Sequence, residues 1–289
     1  MNYIIHLVTT IGIYSLLGLG INVLLGGGGI ISLCQASFYG LGAYTTAILT
    51  LRFGMNFFWA AIIGIIISAV LSLLISILSA RLRGDILILG TLAFQVIFFR
   101  IFHDWHSLTN GPIGISGIGH PCIFNIEINP GIPYMLLVLA CLGLVLFFLN
   151  RLNKSPFGRA LRAMRDDEPA ALSLGKPTLW IKIRAFIISA GISGLAGALY
   201  AGYATYIDPT LFGVSESIFI LSIVLVGGAG KLRGALLGAA LLITLPEFFS
   251  LIGFPDTLAP HLREILYGLF LIYLMYQRPQ GLLGDYALK

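Results

Sequence analysis

The stretch Phe57-Phe-Trp-Ala-Ala-Ile-Ile-Gly-Ile-Ile-Ile-Ser-Ala-Val-Leu-Ser-Leu-Leu-Ile-Ser-Ile-Leu-Ser79 decides the class of fold. It carries no charge, and hydroxyl groups are its main polar feature. At about 1.5 Å per residue, a helix of this length crosses the roughly 30 Å hydrocarbon core of a bilayer. The rest of the chain agrees. Of 289 residues, 58% are hydrophobic and 10% charged, where a soluble domain carries about 25% charged residues. Too few charges remain to build a polar surface around a core.

Working outward from that segment, apolar runs fall near 4–25, 30–51, 57–79, 86–102, 132–149, 185–206, 216–230, 234–253 and 262–276. The expectation is an all-α integral membrane protein, one transmembrane domain over 1–289, a polytopic bundle of about eight to ten crossings. The second and seventh runs end in glycine clusters, Gly26 to Gly29 and Gly227, Gly228 and Gly230, which mark broken or re-entrant segments. Met1 to Leu25 has no basic leader and no small-residue cleavage site, so it reads as a retained span. Cys34, Cys122 and Cys141 are scattered and read as small apolar fillers.

Basic residues set the orientation. Segment 150–184 holds Arg151, Lys154, Arg159, Arg162, Arg165, Lys176, Lys182 and Arg184, which makes it the cytoplasmic loop. Alternation then places Arg81, Arg83, Lys231, Arg233, Arg278 and Lys289 on the same side. Segment 103–131 has no Lys or Arg and faces outward, where its Gly and Pro content suits a folded cap. Only Arg52, Arg100 and Arg263 fall on or near that outer side. The net charge of +5 reflects topology and anionic lipid, not nucleic acid. The side on which Met1 lies depends on whether the second run crosses fully.

Ser189, Ser193, Gly197 and Ala201 recur every fourth residue beside Ala190, Gly194, Ala198 and Gly202. Two small-residue ridges make a flat face for close helix contact, in preference to a pore lining. Ser32, Ala36 and Gly40 repeat the pattern. Polar side chains inside the runs need partners or water. Ser32, Gln35, Ser37, Thr91 and Gln95 are the candidates for a substrate path; interhelical hydrogen bonding is the other reading. Glu216, Glu247 and Glu264 lie near run ends, where they can stay hydrated.

Within the cytoplasmic loop, Ser155 and Pro156 form a helix start. Phe157, Ala160, Leu161 and Met164 make one apolar stripe, read as an exposed docking face. Asp166, Asp167, Glu168 and Pro169 begin a second short helix, which Gly175 closes in the left-handed conformation. Gly227-Gly228-Ala229-Gly230-Lys231 lacks the first glycine and the hydroxyl residue of a nucleotide-binding loop. His103, His106 and His120 near Asp104 and Glu127 lack metal-binding spacing.

The segment Ser-Pro-Phe-Gly-Arg-Ala-Leu-Arg-Ala-Met-Arg-Asp-Asp-Glu-Pro-Ala-Ala-Leu-Ser-Leu-Gly, Ser155 to Gly175, resembles the coupling segment of branched-chain amino acid ABC permeases, with the LivM-like members the closer match. Arg81 to Asp85, Leu108 to Ile118, Phe186 to Ala201 and Arg278 to Gly284 extend the resemblance over nearly the whole chain. It implies a transport subunit and not an enzyme, with no cofactor of its own; ATP and Mg would be bound by two partner ATPases. A second, LivH-like permease subunit and an extracytoplasmic solute-binding protein would complete a bacterial inner-membrane importer of branched-chain amino acids. Urea, amides or aromatic acids, or an ion-coupled secondary transporter, are the alternatives. The resemblance implies ATPase coupling through Ala170, Ala171 and Gly175, with Arg159, Arg162 and Glu168 around them. The sequence departs from the family where Pro169 precedes the two alanines in place of Glu. It departs again at Ser32-Leu-Cys-Gln-Ala36, where Ser-Leu-Gly-His-Ala is common, and at Lys231 and Arg233, where uncharged residues are commoner.

Overall fold

The computed structural model describes residues 2–79, 82, 84–123, 126–128, 130–251, 268 and 281–284. Those residues are almost entirely helical, as the apolar runs require. Helix α1 (Asn2–Asn22) continues through a π-helical turn (Val23–Gly27) into the first glycine cluster. Then come α2 (Gln35–Phe53), α3 (Phe57–Ser79), α4 (Asp85–Asp104) and the single turn α5 (His106–Thr109). After the outer segment follow α6 (Ile132–Lys154), α7 (Pro156–Asp166), α8 (Glu168–Ser173) and α9 (Thr178–Ala204). The described part closes with α10 (Val214–Gly227) and α11 (Leu232–Leu251).

Among the described residues, five helices, α1 with its π turn, α3, α4, α6 and α9, are long and apolar enough to cross a membrane; α10 and α11, bent by 118° at their break, raise the number to six. The longer count expected from the apolar runs has three sources. Helix α2 is diluted by Gln35, Ser37, Tyr39, Tyr44, Thr45 and Thr46. Helix α10 has 14 residues, about 21 Å of length, and is too short alone. The run 262–276 lies outside the described residues, as do Arg81, Arg83, Arg263, Glu264, Arg278 and Lys289.

Side-chain contacts fix the helix directions. His6 bonds Tyr203 at 2.7 Å, whereas Gly20, further along α1, lies against Ser189 and Ser193, so α1 and α9 are antiparallel. The described start of α1 therefore lies at the end opposite the basic loop. Helix α2 runs from the first glycine cluster toward that same outer end, where Arg52 donates to the carbonyls of Ser107 and Leu108. Lys231 lies at the basic end, its carbonyl accepting from Asn22. Among the described residues, Lys231 therefore shares an end with the basic loop and Arg52 lies at the opposite one.

Helix α9 is the axis of the bundle: 72% of its best apolar window is buried, against 33% in α3, 28% in α4 and 22% in α6. Both small-residue ridges of α9 face inward. A Cβ on Gly197 would collide with the Tyr39 carbonyl of α2, and one on Gly194 would lie 2.7 Å from Ser68 Oγ of α3. Lipid offers no hydrophobic drive between helices, so such backbone approach supplies the packing. Helices α3 and α6 turn Trp59, Ile66, Leu74, Leu144 and Phe147 outward, where hydrocarbon replaces water. Helix α9 also starts at Thr178, ahead of the expected 185. Lys182 and Arg184 therefore belong to the helix, and the basic loop proper is Ser155 to Pro177.

At the end opposite the basic loop the chain forms a small cap. Ile115–Ser116 (β1) pairs antiparallel with Tyr206–Ile207 (β4), and Cys122–Ile123 (β2) pairs with Ile126–Glu127 (β3). Asn110 and Thr205 take left-handed backbone conformations at the helix ends feeding this cap. His120 ties it down through the Gly202 carbonyl at 3.0 Å.

Candidate functional site

The basic loop folds as its capping residues dictate. Ser155 Oγ accepts from the Gly158 amide at 3.3 Å, and the Asp167 carboxylate accepts from the Ala170 amide at 2.9 Å. Gly175 closes α8 with φ +73°, a conformation that costs glycine no steric penalty.

The apolar stripe of α7 points the other way from the expected exposed docking face. Leu161 and Met164 are buried at 2% and 4% exposure. Leu161 packs on Gly27 and Gly28, and Met164 on Gly28. The reason is physical: the glycine cluster leaves a side-chain-free groove inside the chain's own bundle, and the stripe fills it. What remains outward is the α8 end of the loop. Ala170 and Gly175 are exposed, with Leu172 at 44% and Leu174 at 78%, whereas Ala171 is 2% exposed.

Basic side chains fasten this loop to the bundle at four points. Arg159 donates to the Lys154 carbonyl and Arg162 to the Asn153 carbonyl, each at 3.0 Å. Both satisfy carbonyls that the end of α6 leaves open. Arg165 donates to the Gly26 carbonyl at 2.9 Å, inside the π-helical turn. Lys182 pairs with Glu168 at 2.7 Å, their side chains 6% and 22% exposed. Breaking a pair buried to this degree costs about 3 kcal/mol. A cavity of about 490 Å³ lies beside these contacts, bounded by Gly28, Ile31, Asp85, Arg165, Glu168 and Lys182.

The two glycine breaks meet each other. A Cβ on Gly26 would strike the backbone of Gly230. Asn22 stitches them, donating from Nδ2 to the Lys231 carbonyl at 3.2 Å and accepting at Oδ1 from the Gly230 amide at 2.9 Å. The Gly228-to-Lys231 segment is therefore a break between helices.

Beyond the first break, α2 begins deep in the bundle, and the candidate path residues gather around its start. Ser32, Gln35, Ser37, Thr91 and Gln95 are all fully buried. Thr91 Oγ1 accepts from the Leu33 amide at 3.1 Å, Ser217 Oγ from the Ala36 amide at 3.0 Å, and Gln95 Oε1 from the Ser37 amide at 2.9 Å. Gln95 also donates to the Phe212 carbonyl at 2.7 Å. Gln35 donates to Ser189 and Ser193 of α9 at 2.9 and 2.5 Å. Ser32 Oγ lies 3.1 Å from Cys34 Sγ. A helix start leaves amides without partners, and a membrane interior has no water to take them. Side chains of α4 and α10 supply the acceptors here.

Among the described residues, three buried polar atoms have no hydrogen-bond partner: the hydroxyls of Tyr39 and Tyr44 and Glu216 Oε1. Both tyrosine rings pack on Phe212, with centroids 5.1 and 5.7 Å away. Glu216 was expected to stay hydrated at a run end; its Oε1 is instead buried, although the residue as a whole is half-buried. Tyr39, Tyr44 and Glu216 stand out in the sequence only as polar groups within or at the head of apolar runs, and nothing in their spacing announces that they lie near Phe212. Among the described residues no set of three His, Cys, Asp or Glu gathers to hold a metal.

Apolar helices of membrane-spanning length, paired glycine breaks and a tethered basic loop define a multi-pass membrane protein. The family model for the permease component of the branched-chain amino acid transport system matches residues 3–275. The high-affinity branched-chain amino acid transport permease LivM of Salmonella typhimurium is 34% identical over 96% of this chain and 69% of its own length. A probable LivM of Methanocaldococcus jannaschii is 28% identical over 78% of this chain and 66% of its own. The ribose import permease RbsC of Bacillus subtilis is 30% identical over 43% of this chain and 39% of its own. No solved structure matches. The chain belongs to the branched-chain amino acid transport permease family.

Proposed function

We propose that this chain is the membrane-spanning half of an ATP-driven importer, carrying branched-chain amino acids or a closely related small solute across a bacterial inner membrane. A second permease chain would complete the membrane part, two cytoplasmic ATPases would supply the energy, and an extracytoplasmic binding protein would deliver the solute to the outer cap. ATP and Mg would bind to the ATPases.

The observation that carries this reading is the loop Ser155 to Gly175. It is fixed to the bundle by Arg159, Arg162, Arg165 and Glu168, yet it leaves Ala170, Leu172, Leu174 and Gly175 exposed beyond the membrane end. A rigid mount with an apolar tip suits docking into a cleft of another protein. Leu174 is the place to test it, because Ala171 is already covered by its own chain. Leu174→Arg is expected to abolish co-purification of the ATPases and solute uptake, with thermal stability of the bundle unchanged. Full ATPase co-purification with normal uptake would refute the reading.

The solute would pass the unpartnered hydroxyls of Tyr39 and Tyr44 and the Glu216 carboxylate, with Ser32, Gln35, Ser37, Thr91 and Gln95 as the frame that holds α2 beside it. The partial likeness to a ribose import permease favours one second reading, a sugar-like solute. An uptake panel of leucine, isoleucine, valine and ribose in the assembled transporter separates the two.

A further inference from the structure

We infer that Arg165 and Asn22 are positioning residues that carry movement of the coupling loop to the start of α2, making that start the part of the helix that yields during transport. The inference rests on the proposed docking of ATPases at that loop. Arg165 is the loop's polar hold on the first helix break, through the Gly26 carbonyl at 2.9 Å. A Cβ on Gly29 would lie 3.0 Å from Arg165 Cγ, and Leu161 and Met164 press on Gly27 and Gly28. A shift of α7 therefore meets the break directly, with no slack between them. Asn22 then joins that break to the second one through Gly230 and Lys231, so the two breaks are driven together.

The start of α2 is built to respond. Its amides at Ala36 and Ser37, and the Leu33 amide before them, are held by Ser217, Gln95 and Thr91 side chains. Side-chain hydrogen bonds can be exchanged by rotamer changes, whereas interlocked backbones cannot slide without steric clash. Between break and helix lie only Ile30 to Cys34, a short link that can absorb little displacement. The Cys34 thiol is fully buried in this link and reports on it.

The test uses the complete transporter with its ATPases, carrying Cys122→Ser and Cys141→Ser so that Cys34 is the remaining thiol of this chain. N-ethylmaleimide labelling of Cys34 is compared between nucleotide-free and ATP-trapped complexes, beside solute imported per ATP hydrolysed. Labelling is expected to differ about tenfold between the two states. Arg165→Ala should shrink that difference to about twofold and lower solute per ATP about tenfold, with Arg165→Lys restoring part of both. Asn22→Leu should act in the same direction. Equal labelling in the two states of the parent complex overturns the inference, as does full retention of the labelling difference and coupling ratio in Arg165→Ala. Failure of the ATPases to associate with the parent chain appears in co-purification, and overturns the docking reading together with this one.

Discussion

Helix α2 meets its neighbours in two ways along its length. Through its middle it touches α9 and α3 by missing side chains: a Cβ on Gly42 would strike the backbone of Gly194, and one on Gly64 would lie 3.1 Å from the Gly42 carbonyl. At its inner start it touches α4, α9 and α10 through added ones, Gln35, Ser37, Gln95, Ser189 and Ser217. The first kind of contact has one geometry. The second is a set of exchangeable bonds, each net worth about 0.5–1.5 kcal/mol. A membrane protein that must change shape needs both: one region to stay registered, another to let go. Their placement on one helix puts the yielding start beside the glycine breaks and the fixed stretch one to two turns further along.

The largest effect is expected from the fixed stretch. Gly197→Leu would force a branched side chain into the Tyr39 carbonyl and the Ala43 amide, where neither partner is a flexible tip that can swing aside. The expected loss is about 4 kcal/mol or more, seen as failure to recover folded protein from the membrane. Gly197→Ala should already lower the melting temperature in detergent. A Gly197→Leu protein that melts like the parent would show that α2 and α9 are free to separate, and the distinction between the two stretches would be lost.

An intermediate effect is expected at the yielding start. Gln95 accepts from the Ser37 amide, from Ser37 Oγ at 2.7 Å and from Ser217 Oγ at 3.1 Å, and donates to Phe212. Gln95→Leu keeps the volume and removes every one of these bonds, so a buried amide at a helix start is left without an acceptor. That costs about 1–3 kcal/mol. The protein should still insert and fold, with a lower melting temperature and faster hydrogen exchange at Ser37. No change in exchange at Ser37 would mean that another acceptor takes over, and that Gln95 does not hold the start of α2.

Much of this division was legible in the sequence, and the rest was hidden for identifiable reasons. The small-residue ridges of α9 could be read because a four-residue spacing maps directly onto one helix face. The capping of α7 and α8 could be read because Ser155, Asp167 and Gly175 act on their own neighbours. The glycine clusters announced two breaks, but not that the breaks touch, since Asn22 reaches Gly230 across more than two hundred positions of chain. For the same reason Gln35, Ser37, Thr91 and Gln95 were recognisable as polar groups needing partners, while which groups they would find was not. The stripe of α7 was misdirected outward: a period of 3.6 residues identifies an apolar face but says nothing of what covers it. Lys182 was assigned to the loop because its charge suggested solvent; pairing with Glu168 allows it inside.

The smallest effect separates the two kinds of contact most finely. Ser189 stands in the small-residue ridge of α9, yet it also accepts from Gln35 at 2.9 Å, so it belongs to both. If its smallness matters more, Ser189→Ala should cost almost nothing, because alanine is smaller still and Gln35 keeps Ser193. If its hydroxyl matters more, the loss should approach the value typical of interhelical hydrogen bonds in membranes, about 0.6 kcal/mol. The expectation is the lower end, below about 0.6 kcal/mol, with Ser193→Ala costing more because that bond is the shorter of the two. A double-mutant cycle with Gln35→Leu, read from melting in detergent, measures both couplings. A coupling at Ser189 larger than the whole effect of Gln95→Leu would reverse the assignment, making α9 the helix gripped by side chains and α4 the incidental neighbour.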